Sequence, residues 1–247
     1  MDKIIKIVLG LLIILLVVFA AVVSYFGYID NAYRNSLTGT YQYTCTISTD
    51  DVLSNVTLFI PVPADPTGNS PVVTQISNQA LSGVPGNMNL TLYDTGKATL
   101  LKVSAQKIGS PGINGTAQPT VITFAVNVSS PGIIDTNSPV QNAAVFHPID
   151  GIHSTTCPAE NISSKNIPVC YQYLTDTYAD YSAAPSATMN INASVTGTNT
   201  WTIFAPGLNQ YQNQITVLTL HGANHGWVTT LGWIESGIGS YDVPSLT

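Results

Sequence analysis

Apolar residues follow two different patterns along this chain, and the change comes near residue 30. From Ile7 to Ile29 the run IVLGLLIILLVVFAAVVSYFGYI holds no charged side chain. At about 1.5 Å per residue it reaches roughly 34 Å as a helix, enough to cross a hydrocarbon core of about 30 Å. A helix satisfies its own backbone there, so the run predicts a transmembrane segment. Beyond it the pattern has period two. Tyr41, Tyr43, Cys45 and Ile47 alternate with Gln42, Thr44, Thr46 and Ser48, as on a strand with one buried face.

The same alternation predicts strands over Val52–Val62, with a turn at Asp50-Asp51 before it and Pro61 and Pro63 closing it. Val72–Ile76 is short and β-branched and reads as a strand. Asn89–Tyr93 and Lys97–Lys107 read as a hairpin around Asp94-Thr95-Gly96. Thr120–Ser129 is a long strand, and Val169–Thr177 another. Thr188–Val195 and Thr200–Phe204 read as a hairpin around Thr196-Gly197-Thr198-Asn199. Gln214–Leu220 and Trp227–Ile234 read as a third, around Gly222–Gly226. No segment after residue 30 carries a 3.6-residue apolar period. The expected fold is therefore all-β, an immunoglobulin-like or related β-sandwich after one N-terminal helix. The expected organisation is a cytoplasmic N-terminus at 1–6, the membrane helix at 7–29, a polar linker at 30–39, and one extracellular β-domain at 40–247. That domain carries a loop-rich, Pro-containing excursion at 130–168.

The flanks of the apolar run set its orientation. Lys3 and Lys6 precede it, whereas Arg34 beyond it is offset by Asp30. Lys and Arg favour the cytoplasmic side, so the chain after residue 30 is expected outside the cell membrane, as a single-pass protein. Tyr25, Phe26, Tyr28 and Tyr33 fall where aromatic rings suit the headgroup region. The competing reading is a cleaved signal peptide ending near Val22 or Ser24, against which the run exceeds the usual apolar length. Both place the bulk of the chain outside.

Composition sharpens the picture. Charged residues make up 8% of the chain against 45% hydrophobic, and the net charge is −6. Few charges with this much apolar content describe a folded domain whose polar surface is Thr, Ser, Asn, Gln and Tyr. Without a basic patch, nucleic acid is excluded as a partner. Six N-x-S/T sequons follow the helix, at Asn55, Asn89, Asn114, Asn127, Asn161 and Asn192. Asn89, Asn127 and Asn192 take the solvent phase of their strands, where N-glycosylation is expected. Cys157 and Cys170 flank a Pro/Asn/Ser-rich segment and are expected to form a disulfide. Closing about 14 residues contributes roughly 3 kcal/mol in the chain-entropy model. Cys45 lies in the inward phase and reads as a buried thiol. Two cysteines without a second pair do not make a zinc site.

The N-terminal anchor followed by YQYTCTIS at 41–48 and NVTLFIPVP at 55–63 resembles membrane-anchored surface proteins of archaea, methanogens in particular, over about the first 65 residues. The resemblance implies a cell-surface setting and brings no active site.

Candidate chemistry is sparse. His221 and His225 bracket a glycine-rich turn near Trp227 and Trp233, a setting for a metal or a sugar. No carboxylate or thiol adjoins them, and ordinary turn histidines are the expectation. His147 and His153, with Asp150, would have to reach them from the excursion. Asp50-Asp51 and Asp176 with Asp180 pair carboxylates as calcium ligands do, although a turn and a solvated strand account for them. Glu235-Ser236-Gly237 lacks the context of a nucleophile elbow. Tyr171, Tyr173, Tyr178, Tyr181 and Tyr211 serve either as contact surface or as sheet packing. No catalytic residue, metal or cofactor is assigned. The expected function is structural, adhesive or binding at the cell surface. Partners are the bilayer through residues 7–29 and other envelope proteins, glycans or copies of the chain itself. Two alternatives follow from the same residues. A pilin-like filament subunit would pack its helix in a fibre core, but the charged residue and glycine of a processing signal are missing where Lys6 meets Ile7 and Gly10 lies inside the run. A surface enzyme or metal-binding protein would use His221 and His225.

Overall fold

The structure is a computed structural model, and it describes residues 3–110, 119–157 and 167–241. Asn114 and Asn161 lie outside the described residues. Helix α1 (Lys3–Ser36) is a single helix long and apolar enough to cross a membrane, and no part of its most apolar window is buried. It does not stop at residue 29. The expected linker at 30–39 is instead helical to Ser36, with strand β1 (Thr38–Thr49) beginning two residues later. Pairs four apart support this last stretch: Arg34 bonds Asp30 at 2.8 Å, and Asn35 bonds Asn31 at 3.1 Å.

The remaining elements run in chain order as β2 (Leu53–Pro61), β3 (Pro63–Ala64), α2 (Pro71–Ser77), β4 (Met88–Asp94), β5 (Thr99–Ile108) and β6 (Thr120–Ser129). There follow α3 (Pro139–Asn142), β7 (Val145–Phe146), β8 (Asp150–Thr155), β9 (Val169–Ser182), β10 (Thr188–Thr202), β11 (Pro206–His221) and β12 (Asn224–Gly239). The domain is all-β, as its alternation predicts. Nine strands form one hydrogen-bonded path in the order β4-β5-β2-β9-β12-β11-β10-β1-β6, and β8 adds to β9; β3 and β7 pair separately. Helix α2 packs on both β4 and β6, the two ends of that path, so the sheet curls until its edges flank one helix. Ser82 extends the closure by bridging Ala125 of β6. Inward residues from both halves of the path meet in one core, among them Tyr43, Ile47, Leu58, Val103, Phe124, Ile191 and Ile215.

Two expectations change, and a third holds without pairing the strands it joins. Val72–Ile76 is not a strand but lies in α2, where Pro71 opens the helix and Ser70 caps it by accepting from the Val73 amide at 3.0 Å. Asp50-Asp51 does turn the chain, but β1 and β2 are not sheet neighbours; β1 lies between β10 and β6, and β2 between β5 and β9. The expected turn at Thr196–Asn199 is the middle of β10, which runs unbroken to Thr202 and turns into β11 only at Ile203–Ala205. Gly197 is there because the Tyr211 ring lies over it: a Cβ on Gly197 would sit 2.3 Å from that ring. Gly207 under Trp201 and Gly232 under Tyr173 repeat the arrangement, each glycine facing its aromatic partner across two strands.

The excursion at 130–168 is no outlying loop over its described part. Ile134, Ala143, Ala144, Val145 and Phe146 are buried in the core. Inward-facing asparagines hold it. Asn199 accepts from the Ile134 amide at 2.9 Å and donates to the Ile134 carbonyl at 2.8 Å. Asn213 accepts from the Phe146 amide at 2.8 Å. Tyr211 donates to the Ala144 carbonyl, and Thr136 to Asn209 at 2.9 Å. Buried backbone groups need such partners; here polar side chains inside the curl supply them in place of a neighbouring strand.

Candidate functional site

The outward face of β5, β2, β9 and β12 carries two cross-strand rows. Register fixes the first: Lys102 opposes Phe59, Phe59 opposes Tyr178, and Tyr178 opposes Trp227. Tyr93 of β4 joins from the diagonal. Ring centroids lie 5.3 Å apart for Tyr93–Phe59, 5.5 Å for Phe59–Tyr178 and 5.4 Å for Tyr178–Trp227, each pair edge to face. Lys102 places its ammonium 5.8 Å from the Phe59 ring centre, within cation–π range. Core rings of this protein are shut away from solvent, whereas Trp227 is 59% exposed and Tyr93 is 53% exposed. The row is thus a rigid apolar strip on the surface.

The second row lies one side-chain repeat along the same face: Asn89, Ser104, Thr57, Asp180 and His225, each opposite the next. His225 Nδ1 lies 2.6 Å from Asp180 Oδ1, with both groups partly exposed. On the strip's other flank a cleft of about 270 Å³ is lined by Lys97, Leu100, Pro148, Asp176 and Trp227. A smaller cleft of about 130 Å³ shares Lys97 and Ala98 with it and holds Asp65, Asp94 and His147. Burial pushes the His147 imidazole below its ordinary pKa, and the neighbouring Asp65 carboxylate acts against that push. Burial works to raise the Asp65 carboxyl, but hydrogen bonds from Thr67 and Asn69 outweigh it and hold the group low. Aromatic rings between a row of amide, hydroxyl, carboxylate and imidazole groups on one flank and a cleft with Lys97 and Asp176 on the other can stack on apolar ring faces and hydrogen-bond their rims at once.

The sequence-predicted residues distribute as follows. His225 belongs to the polar row, and His221 is exposed at the β11–β12 turn, where Gly222 takes a φ of 68°. His153 bonds the Gly151 carbonyl on β8. Asp50 accepts from the Thr188 amide at 2.6 Å and is held below the usual carboxylate range mainly by Thr188. Asp176 and Asp180 flank the aromatic row on opposite sides. Of the five tyrosines, Tyr173, Tyr181 and Tyr211 are core, Tyr171 packs against it, and Tyr178 lies in the strip. Cys157 and Cys170 are bonded, with Cα atoms 5.3 Å apart, and Cys45 is free and buried, its thiol pushed up to about 12 by burial. Among the described residues one group has three metal-type ligands close together, Cys157, Cys170 and Glu235, and its sulfurs are joined to each other. The sequons Asn55, Asn89, Asn127 and Asn192 are all exposed. Phe59 and Tyr93 escaped the sequence reading; the signal was present only as aromatics in the solvent phase of their strands.

No protein-family model, no curated protein and no solved structure matches the chain.

Proposed function

We propose that the chain is a membrane-anchored cell-surface protein with a binding, adhesive role, its β-domain held outside by α1 as a sandwich-like, N-glycosylated ectodomain. Its ligand face is the strip Tyr93–Phe59–Tyr178–Trp227, and its ligand class is a neutral glycan of the envelope or of a neighbouring surface. The observation that carries this reading is the exposed aromatic row bounded by hydrogen-bonding groups on both sides. Sugar rings offer apolar faces and polar rims in that same alternation. Three ring-to-ring steps of 5.3, 5.5 and 5.4 Å make the row roughly 16 Å long, the scale of a short oligosaccharide. Polyanionic glycans fit poorly, since only seven Lys and Arg occur in the chain against thirteen Asp and Glu.

The test is retention of the full-length protein, in lipid nanodiscs, on immobilised neutral polysaccharides. Wild type is retained, and Trp227→Ala and Tyr93→Ala each weaken binding about tenfold or more, the effect of truncating an aromatic anchor. His221→Ala, at the turn outside both rows, leaves binding unchanged. Absence of retention across a broad panel, or retention indifferent to Trp227, refutes the assignment.

A further inference from the structure

The β10–β11 tip lies against the outer end of α1, and its exposed surface is apolar. Phe204 is 69% exposed. Its ring centroid is 6.4 Å from Tyr25 and 6.2 Å from Tyr28, themselves 53% and 58% exposed. Ala205 and Pro206 beside it are exposed too, and no charged residue occurs between Asp180 and Glu235. The tip is fixed to the helix from above. Tyr33 meets Trp201 edge to face at 5.6 Å, and Ser36 both accepts from the Thr202 amide and donates to its carbonyl at 2.9 Å.

Helix geometry gives the level of this contact. Counting about 20 residues from Ile7 through a 30 Å core brings α1 to the outer boundary near Phe26. Tyr25 and Tyr28 straddle that boundary, and the Asp30–Arg34 ion pair lies above it. Phe204, level with the two tyrosines, reaches the same depth.

We propose that the hairpin tip Ile203–Ala205 is a second membrane contact. Phe204 sits in the interfacial zone of the outer leaflet beside the anchor and, with the Tyr33–Trp201 and Ser36–Thr202 contacts, fixes the β-domain upright on the bilayer. The partner is a lipid surface, recognised by aromatic burial at the headgroup boundary and not by charge. The proposal rests on reading α1 as membrane-spanning. It carries a consequence for the ligand face. From the tip, β11 climbs from Pro206 to His221, and Trp227 lies three residues past Asn224, where β12 starts back. At about 3.3 Å per residue the strip then stands some 40 Å along the strand from the bilayer.

The native cysteines permit a clean test, since Cys45 is buried and the other two are bonded. Single cysteines are introduced as Val17→Cys, Ala205→Cys and Ala223→Cys in the full chain and labelled with an environment-sensitive fluorophore in vesicles. Spin-labelled lipids then report depth. The Val17 label is quenched from deep in the acyl chains, and the Ala205 label from the headgroup region. The latter is quenched about threefold more than the Ala223 label, because a tip in the interface lies within the outer 5–10 Å of the leaflet. Adding Phe204→Asp brings the Ala205 label down to the Ala223 level. If Val17 is quenched while Ala205 matches Ala223, the tip proposal falls and the anchor stands. If Val17 is not quenched, as in a filament whose helices bundle away from lipid, both fall.

Discussion

Replacing Gly197 with alanine gives the sharpest check on how β10 is built. The residue is mid-strand, and its φ is not in the left-handed region. By backbone preference alone, alanine would stabilise such a site by about 0.5–1 kcal/mol. The structure reverses the sign. The new Cβ would lie 2.3 Å and 3.0 Å from two carbons of the Tyr211 ring and 3.1 Å from Ile134, where carbon contacts normally settle at about 3.5–4.0 Å. The ring cannot yield easily, because it is fully buried and its hydroxyl is bonded to the Ala144 carbonyl. Overpacking costs about 1–3 kcal/mol, and a 2.3 Å approach to a ring that cannot yield belongs at the upper end, about 2–3 kcal/mol, so a net loss of about 1–2 kcal/mol remains after the propensity gain. For a domain of this size that lowers Tm by roughly 2–8 °C. Thermal and urea unfolding of the detergent-solubilised protein measure it. Gly86→Ala is the control: a Cβ there meets nothing within 4 Å, and the change should stay within about 0.5 kcal/mol of neutral. The double variant Gly197→Ala with Tyr211→Leu should lose clearly less than the two singles added, since the clash and the ring disappear together. A Gly197→Ala protein as stable as wild type would show that the ring does not lie over this glycine, and with it would go the account of why β10 runs straight through an apparent turn.

Two further outcomes follow from named groups. Reducing the Cys157–Cys170 bond should cost roughly 3 kcal/mol by the chain-entropy model, or about 6–12 °C in Tm; peptide mapping that linked Cys45 to either partner would overturn the pairing. Stability should fall with acid in two steps. Burial holds the His147 pKa below its ordinary 6.5, so the unfolded chain takes up that proton first and stability declines as pH drops below about that value. Asp50, Asp65 and Asp135 have carboxyl pKa values lowered from 3.8, so their contribution is present above that value and is lost as pH falls below it. Urea titrations across pH should show His147→Gln without the upper step and with the lower one intact; a variant that keeps both steps refutes the assignment to His147.

Local pattern carried the strands well, and their partners only where a short turn joins them, as in β4–β5 and β11–β12. The alternation over Thr120–Ser129 matches β6 to the residue, and the hairpin around Asp94–Gly96 forms as its turn residues predict. The misses share a cause, a local signal overruled by something distant or by a short cap. Val72, Val73 and Ile76 are β-branched, but Ser70 and Pro71 ahead of them start a helix. Thr196–Asn199 has turn composition, yet Gly197 answers to Tyr211 and Asn199 to Ile134. The excursion looks aperiodic from Ile134 to Ala144 because its partners there are side chains of β10 and β11. The strip was illegible for the same reason: Phe59, Tyr93, Tyr178 and Trp227 become neighbours only through strand register, and nothing near any one of them in the chain names the others.

The low charge of this domain and its buried asparagines are two sides of one design. A sheet that curls until both edges meet one helix leaves its interior to be crossed by a chain segment with unpaired amides. Asn199 and Asn213 meet those amides as neutral groups, and Asn209 joins them by accepting from Thr136 and Asn199, so these contacts form without ion pairing, whose desolvation is expensive. Outside, Thr, Ser, Asn and Gln on β6, β1, β10 and β11 do the solvating with equally little charge. A surface of that kind makes few contacts through long-range attraction. Its binding must come from short-range stacking and hydrogen bonding, and such contacts concentrate where rings are held rigid and left uncovered. In this chain the strip between Lys102 and Trp227 meets that condition, and so does the tip at Phe204 beside α1.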